Sequence, residues 1–356
     1  MRIKDLFEIN KGITTSREFF DDNKGIPCVH YGDIYRFYNE KTILSSNILN
    51  KFTLNLDKLK PINQDSIIMP DVTETITDFG HLTYIKYDKT QYINGTHTLV
   101  ILNNRNNNLK YLFYYLQSSK IKKQLQTLLL GSTVFQISKK GLENFELQSI
   151  HSENEQRHIV DIIGSLDDKI ENNNKIIDKL WQKLQLVHTD FKSKNELVEK
   201  NILELSDIKY GKGIPTSEIS KDGLYSVYGS NGIIGYLNNY IFKEHKIAIS
   251  CRGNSSGIIH LTDENSTVTS NSLVLDFKNF DYTYYFFLEF MYKGLYEYKT
   301  GSAQPQITID NLKILNLQVP KNINDYIKNI NDSVEYTFCL KKENQKLFLL
   351  KQFYLK

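Results

Sequence analysis

The side chains best suited to chemistry sit on polar, glycine-punctuated stretches, and they suit contact better than catalysis. HYGDIYRFYN (30–39) offers Tyr31, Asp33 and Arg36, and PDVTETITDFGH (70–81) offers Thr73. Further on, YGSNGIIGY (228–236) offers Tyr228 and Asn231, and CRGNSSGIIH (251–260) offers Arg252 and Asn254. Asn271 precedes the apolar run SLVLDF (272–277). Polar side chains on loops can hydrogen-bond base edges in the major groove, and Tyr and Lys can hold phosphates. Any one of these residues is equally consistent with a solvated turn, but together they predict a contact surface. Arg36 and Arg252 stand first as base readers, because Arg pairs bidentately with guanine.

Catalytic constellations are missing. An amino-methyltransferase needs an Asn/Asp-Pro-Pro-aromatic turn, and the six prolines are never adjacent. Pro27-Cys28 matches the nucleophile dipeptide of cytosine methyltransferases, but its acidic partner and Gly-rich cofactor loop are absent. Cys28 is therefore expected to be a buried thiol on a strand. Gly211-Lys212-Gly213 lacks the rest of a phosphate loop and reads as a turn. Pro70-Asp71 is not followed by Asp/Glu-x-Lys at strand spacing, as a nuclease would require. The eight His show no paired ligand spacing, so no metal is expected.

Composition agrees with a folded protein of several domains. The chain has 356 residues, 40% apolar and 24% charged, with 44 basic against 41 acidic residues. A net charge of +3 is far from the basic excess of a stand-alone DNA binder, so partners would supply much of the phosphate neutralisation. Three separated cysteines argue against a disulfide framework. MRIKDLFEIN has no apolar signal core, and the runs YLFYYL (111–116) and YYFFLEFMY (284–292) are too short to span a bilayer, so the cytoplasm is the expected compartment.

What must position these loops is a duplicated scaffold. GSTVFQISKKGLENFELQ (131–148) and GSAQPQITIDNLKILNLQ (301–318) align without a gap and are identical at seven of eighteen positions. Chance would give about one at average residue usage. Gln136 and Gln306 are among the identities. Two roles are open to them: touching DNA, or fastening the globular half to the helix that follows. Shorter echoes keep the same order: GITTS (12–16) with GIPTS (213–217), SIIM (66–69) with KIAIS (246–250), and TLV (98–100) with SLV (272–274). PCVHYG (27–32), SIIM, HLTYIKY (81–87) and HTLVIL (97–102) read as strands, with counterparts in YSVYG (225–229), KIAIS, GIIHLT (257–262) and SLVLDF.

Each half ends in a helical segment. Ile159, Ile163, Leu166, Ile170, Asn173, Ile177, Leu180, Leu184, Val187 and Phe191 alternate steps of four and three, a coiled-coil seam. Asn173 is its only polar member, the kind of residue that fixes register. The helix should run from about 154 to 197, roughly 66 Å. Ile323, Ile327, Ile330, Val334, Phe338, Leu340, Leu347 and Leu350 begin a second stripe, and two such stripes should pack on each other. The expected class is α+β, with two similar mixed domains at 1–152 and 199–320. They are separated by helices at 153–198 and 321–356, packed as an antiparallel coiled coil in a pseudo-twofold repeat.

With these features in order, the whole chain resembles the DNA-specificity subunit of type I restriction–modification systems. The resemblance rests on the doubled GS boxes, on YGSNGIIGY with CRGNSSGIIH, and on EQRHIVDIIGSLDDKI (155–170) opening the central helix. It implies two target-recognition domains, each reading half of a bipartite double-stranded DNA target. It implies helices that act as a spacer and dock two methyltransferase subunits, with restriction (translocase) subunits joining them. It also implies a non-catalytic chain without its own cofactor, S-adenosylmethionine and ATP/Mg belonging to the partners. The clearer YGSNGIIGY box in the second half implies two different recognition subtypes and an asymmetric target. A coiled-coil adaptor, or a specificity subunit serving a fused methyltransferase–nuclease, are the alternatives.

Overall fold

Runs of Ile, Val, Leu and Met bury both faces of the strands they form, as a covered sheet requires. A computed structural model of the chain describes residues 1–21, 24–38, 40–53, 59–103, 107–220, 223–301 and 304–355. Asn39 of the first polar stretch and Ser302 of the second GS box lie outside the described residues. The chain divides into two units, Met1–Asn172 with Glu343–Lys356, and Asn173–Lys342.

The first unit holds β1 (Phe7–Lys11), β2 (Thr42–Leu44), β3 (Ser66–Pro70), β4 (Thr83–Lys86) and β5 (Thr98–Asn103). They lie in the order β1-β5-β3-β4-β2, antiparallel except where β2 runs parallel to β4. Ile67, Met69, Leu99 and Ile101 face one core with Leu112 and Phe113 of α1 (Leu109–Gln117). Ile68, Ile85 and Val100 face the other way, over Val29 and Ile34. Asn108 starts α1 as its side chain accepts the Tyr111 N–H at 2.9 Å, satisfying an otherwise orphaned donor. The long helix α2 (Glu153–Lys194) follows, and its Ile159, Val160 and Ile163 pack onto the first core.

The second unit repeats the plan with β6 (Ser206–Tyr210), β7 (Ile247–Ser250), β8 (Ile259–Leu261) and β9 (Ser272–Phe277), in the order β6-β9-β7-β8. These occupy the places of β1, β3, β4 and β5. The aromatic helix α3 (Asp281–Lys293) stands where α1 does, and α4 (Ile323–Tyr354) closes the chain. The expected mixed class and internal repeat are thus present. The edge pairs β1–β5 and β6–β9 are new, because FEINK and SDIKY are too polar to read as strands. Among the described residues no helix is long and apolar enough to cross a membrane.

The matched glycines need correcting. Sequence echoes pair Gly12 with Gly213, whereas the backbone pairs it with Gly211. Gly12 N–H donates to Thr98 O at 2.8 Å and Gly211 N–H to Ser272 O at 3.0 Å. Ile13 N–H then donates to Asn94 O at 3.0 Å and Lys212 N–H to Val268 O at 2.8 Å. Strand pairing sets the register, and the identical residues lie two positions out of it.

Inside each unit the two long helices run antiparallel, and polar bonds beside the apolar layers, most of them part-buried, hold the globular part to them. In the first unit Tyr114 of α1 donates to Asp167 Oδ2 at 2.9 Å, and Lys351 Nζ donates to Asp167 Oδ1 at 2.8 Å. In the second, Tyr284 of α3 donates to Glu335 at 2.9 Å, and His188 lies between Tyr326 (2.9 Å) and Glu289 (3.0 Å). Of the first seam, Ile163, Asn173, Ile177 and Leu184 are buried and Leu166, Ile170 and Leu180 half-buried. The second seam departs from expectation at its end. Leu350 is exposed, and Lys351 turns inward because Asp167 compensates its charge.

Candidate nucleic-acid interface

Strand register brings the polar loops together twice. Thr98 pairs with Pro70, so Asp71 and His97 are neighbours just beyond that sheet edge, and Asp71 N–H donates to His97 O at 3.0 Å. Ser272 pairs with Ser250, so Cys251 and Asn271 are neighbours in the same way, and Cys251 N–H donates to Asn271 O at 3.0 Å. His97 therefore occupies the place of Asn271. Sequence reasoning passed over His97, although the TLV/SLV match places it one residue before Thr98, as Asn271 precedes Ser272.

Each GS box is laced onto this spot. Leu130 and Gln136 exchange backbone hydrogen bonds at 2.9 and 2.8 Å, and Thr300 and Gln306 do so at 2.9 Å each. The tight turns need Gly131 (φ 123°) and Gly301 (φ 86°), conformations that a Cβ disfavours. Ile137 N–H then donates to Asp71 O at 2.9 Å and Ile307 N–H to Cys251 O at 3.0 Å. Gln136 sits opposite Val72, and Gln306 opposite Arg252. Val72 and Arg252 are thus equivalent positions on equivalent loops. Both glutamines are exposed, and their backbones fasten box to loop; Gln136 Nε2 also donates to Asp71 Oδ2 at 3.2 Å.

The remaining candidates divide by burial. In the first unit Tyr31, Thr73 and His97 line one cleft, with the Tyr31 and His97 rings 5.6 Å apart. Arg36 is exposed on the helical turn Ile34–Tyr38 and does not line the cleft. Asp33 is turned inward, where its carboxylate accepts the His30 N–H at 2.9 Å and Asn50 Nδ2 at 2.8 Å. That cap is why His30-Tyr31-Gly32 leaves the expected strand, which ends at Val29. Thr73 is buried too, its hydroxyl donating to Thr75 O at 2.8 Å. In the second unit Asn231, Arg252, Asn254 and Asn271 are exposed, and the Ser255 hydroxyl donates to Asn231 Oδ1 at 2.6 Å. Tyr228 is buried, and its hydroxyl accepts the Asp263 N–H at 3.1 Å. Burial pushes that phenol up, so it remains a neutral brace. Asp33, Thr73 and Tyr228 are thus buried, and their hydrogen bonds shape the loops that carry the exposed side chains.

Two histidines support the turns, His81 two residues before β4 and His260 within the equivalent strand β8. The His81 ring lies 4.9 Å from Tyr35, whose hydroxyl donates to Val72 O at 2.9 Å. His260 Nε2 lies 3.4 Å from Ser230 O. Burial lowers both imidazoles below their ordinary value, so they stay neutral at pH 7. Nothing in either cluster resembles a nucleophile–base pair. Cys28 is buried on its strand and burial raises its thiol, as it does that of Cys251. Among the described residues, no three His, Cys, Asp or Glu side chains come together to hold a metal ion. What the clusters can do is donate and accept hydrogen bonds from short, braced loops.

Comparison with known proteins fits this geometry. The family model described as "type I restriction modification DNA specificity domain" matches residues 1–182 and 194–348. A protein of Mycoplasma genitalium named as a type I specificity subunit is 26% identical over 178 residues, covering 46% of this chain and 46% of that protein. The chain thus matches about half the length of that curated relative. The crystal structure of a type I restriction–modification S subunit from M. genitalium superposes with a TM-score of 0.60 at 18% identity, covering 100% of this chain and 94% of that one. At that identity the likeness is one of fold.

Proposed function

The chain belongs to the type I restriction–modification DNA specificity family, and from that premise we propose that it reads a bipartite, asymmetric sequence in double-stranded DNA, one half with each unit. The observation that carries this is the loop cluster built twice on the same strands with different side chains: His97, Val72 and Thr73 in one, Asn271, Arg252 and Gly253 in the other. Two readers of one design and different chemistry suit a target with two unlike halves. The globular domains at 1–152 and 199–320 read, and the helices at 153–198 and 321–356 space them and dock methyltransferase and restriction subunits in the cytoplasm. The chain itself catalyses no step. S-adenosylmethionine and ATP/Mg work on those partners, which also supply much of the phosphate neutralisation.

The test is a base-modification map of the host genome by long-read sequencing, with this gene intact and deleted. Deletion should erase one methylated bipartite motif and leave all others. An unchanged map would refute the proposal. In the same assay Arg252→Ala should relax one position of one half-site, at about tenfold lower discrimination, because a bidentate guanine contact is lost. Equal weakening on every sequence would make Arg252 a phosphate contact instead.

A further inference from the structure

The matched loops carry opposite charge. In the second unit the equivalent step is Arg252-Gly253-Asn254, with an exposed guanidinium. In the first it is Val72-Thr73-Glu74, which borders a cleft of about 410 Å³. Glu74 and Asp78 line that cleft together with the rings of Tyr31, Tyr35 and His97. Behind the wall, Asp71 is 5% exposed, and its Oδ1 makes no hydrogen bond and faces His97 Nδ1 at 3.4 Å. Among the described residues that line the cleft there is no arginine or lysine.

A carboxylate pressed against a base edge loses water and must find a donor there, or the complex is penalised. In the major groove only adenine (N6) and cytosine (N4) present an amino donor, whereas guanine and thymine present acceptors. Resting on the proposed reading function, we infer that Glu74, with Asp78 beside it, is a specificity-determining residue. It accepts a hydrogen bond from an exocyclic amino group, of adenine or cytosine, in the half-site read by the first unit. At the equivalent step the second unit selects by donation through Arg252, so the two halves of the target differ in hydrogen-bond sense at matched positions.

Genome modification maps of strains carrying the full-length chain as wild type, Glu74→Gln or Asp78→Asn test this. The Gln amide both donates and accepts, so it no longer rejects guanine or thymine. Glu74→Gln should leave the spacer and the half-site altered by Arg252→Ala unchanged. One position of the other half-site should lose about tenfold discrimination between the wild-type base pair and its reverse, which puts thymine O4 or guanine O6 where the amino group of adenine or cytosine stood. The wild-type map itself shows which of the two amino-bearing bases is read. An unaltered motif in both variants overturns the inference, as does loss of all methylation while the variant chain keeps its helical circular dichroism. A wild-type map without any bipartite motif dependent on this gene refutes instead the function on which the inference rests. Asp78→Asn, on the same wall, gives the reading independently if the Glu74 variant does not accumulate.

Discussion

Gly211→Ala is expected to lower the thermal unfolding midpoint of the second unit by about 6–12 °C, whereas Gly213→Ala should leave it within about 1 °C. A Cβ on Gly211 would stand 2.3 Å from Thr269 O and 2.4 Å from Val268 O, both backbone atoms of the chain that β6 leads into. Neither can withdraw, because Lys212 N–H donates to Val268 O and Thr269 N–H to Tyr228 O. Overpacking against fixed backbone costs about 3 kcal/mol. Gly213 has nothing within 4 Å of an added Cβ. Gly12 should behave as Gly211 does, since its Cβ would meet Gly95 O at 1.8 Å. Calorimetry of the three alanine variants decides the matter. Equal midpoints for Gly211→Ala and Gly213→Ala would mean that the register of the repeat is the one the side chains suggest, not the one the backbone sets.

That contrast shows where sequence reasoning reaches and where it stops. Strands such as SIIM and SLVLDF were legible because they are apolar on both faces, and the seam of α2 because its period is a property of one contiguous helix. The polar edge strands β1 and β6 were not, since their partners in β5 and β9 lie 63 to 96 residues away in the chain. Burial of Asp33 and Tyr228 was hidden for a similar reason. Each sits in a polar, turn-forming stretch, and only the fold supplies the Asn50 amide or the Asp263 N–H that makes an inward position tolerable. The site followed the same rule. The repeat located its loops and, through TLV and SLV, the place of His97, but Glu74 stands out only once the backbone matches Val72, two residues before it, with Arg252. Lys351 and His188 were illegible as buried residues, because a charged or titratable side chain enters a helix interface only against a partner that the topology provides.

The His188 cluster yields the second large effect. Glu289 on α3 accepts hydrogen bonds from Lys192 at 2.8 Å and lies 3.0 Å from His188 Nε2, while Lys293 reaches it from the surface at 2.9 Å. Burial alone would raise the Glu289 carboxyl, but these three donors hold it well below the ordinary carboxylate range. Glu289→Ala should therefore destabilise the second unit by about 3 kcal/mol, because it strands His188 and the Lys192 charge beside the aromatic layer of Tyr285 and Tyr326. Lys293→Ala should cost under about 1 kcal/mol, since Lys293 is 72% exposed and water replaces it. The pH dependence follows from the sign of the shift. A carboxyl held low in the folded state contributes fully above its unfolded value of about 4.3, and that contribution fades as pH falls through the lower folded value. The gap in midpoint between wild type and Glu289→Ala should thus be constant from pH 7 to about 5 and narrow below about 4. A gap that widened in acid, or a Lys293→Ala cost equal to that of Glu289→Ala, would show that the carboxylate is not what ties α3 to the long helix.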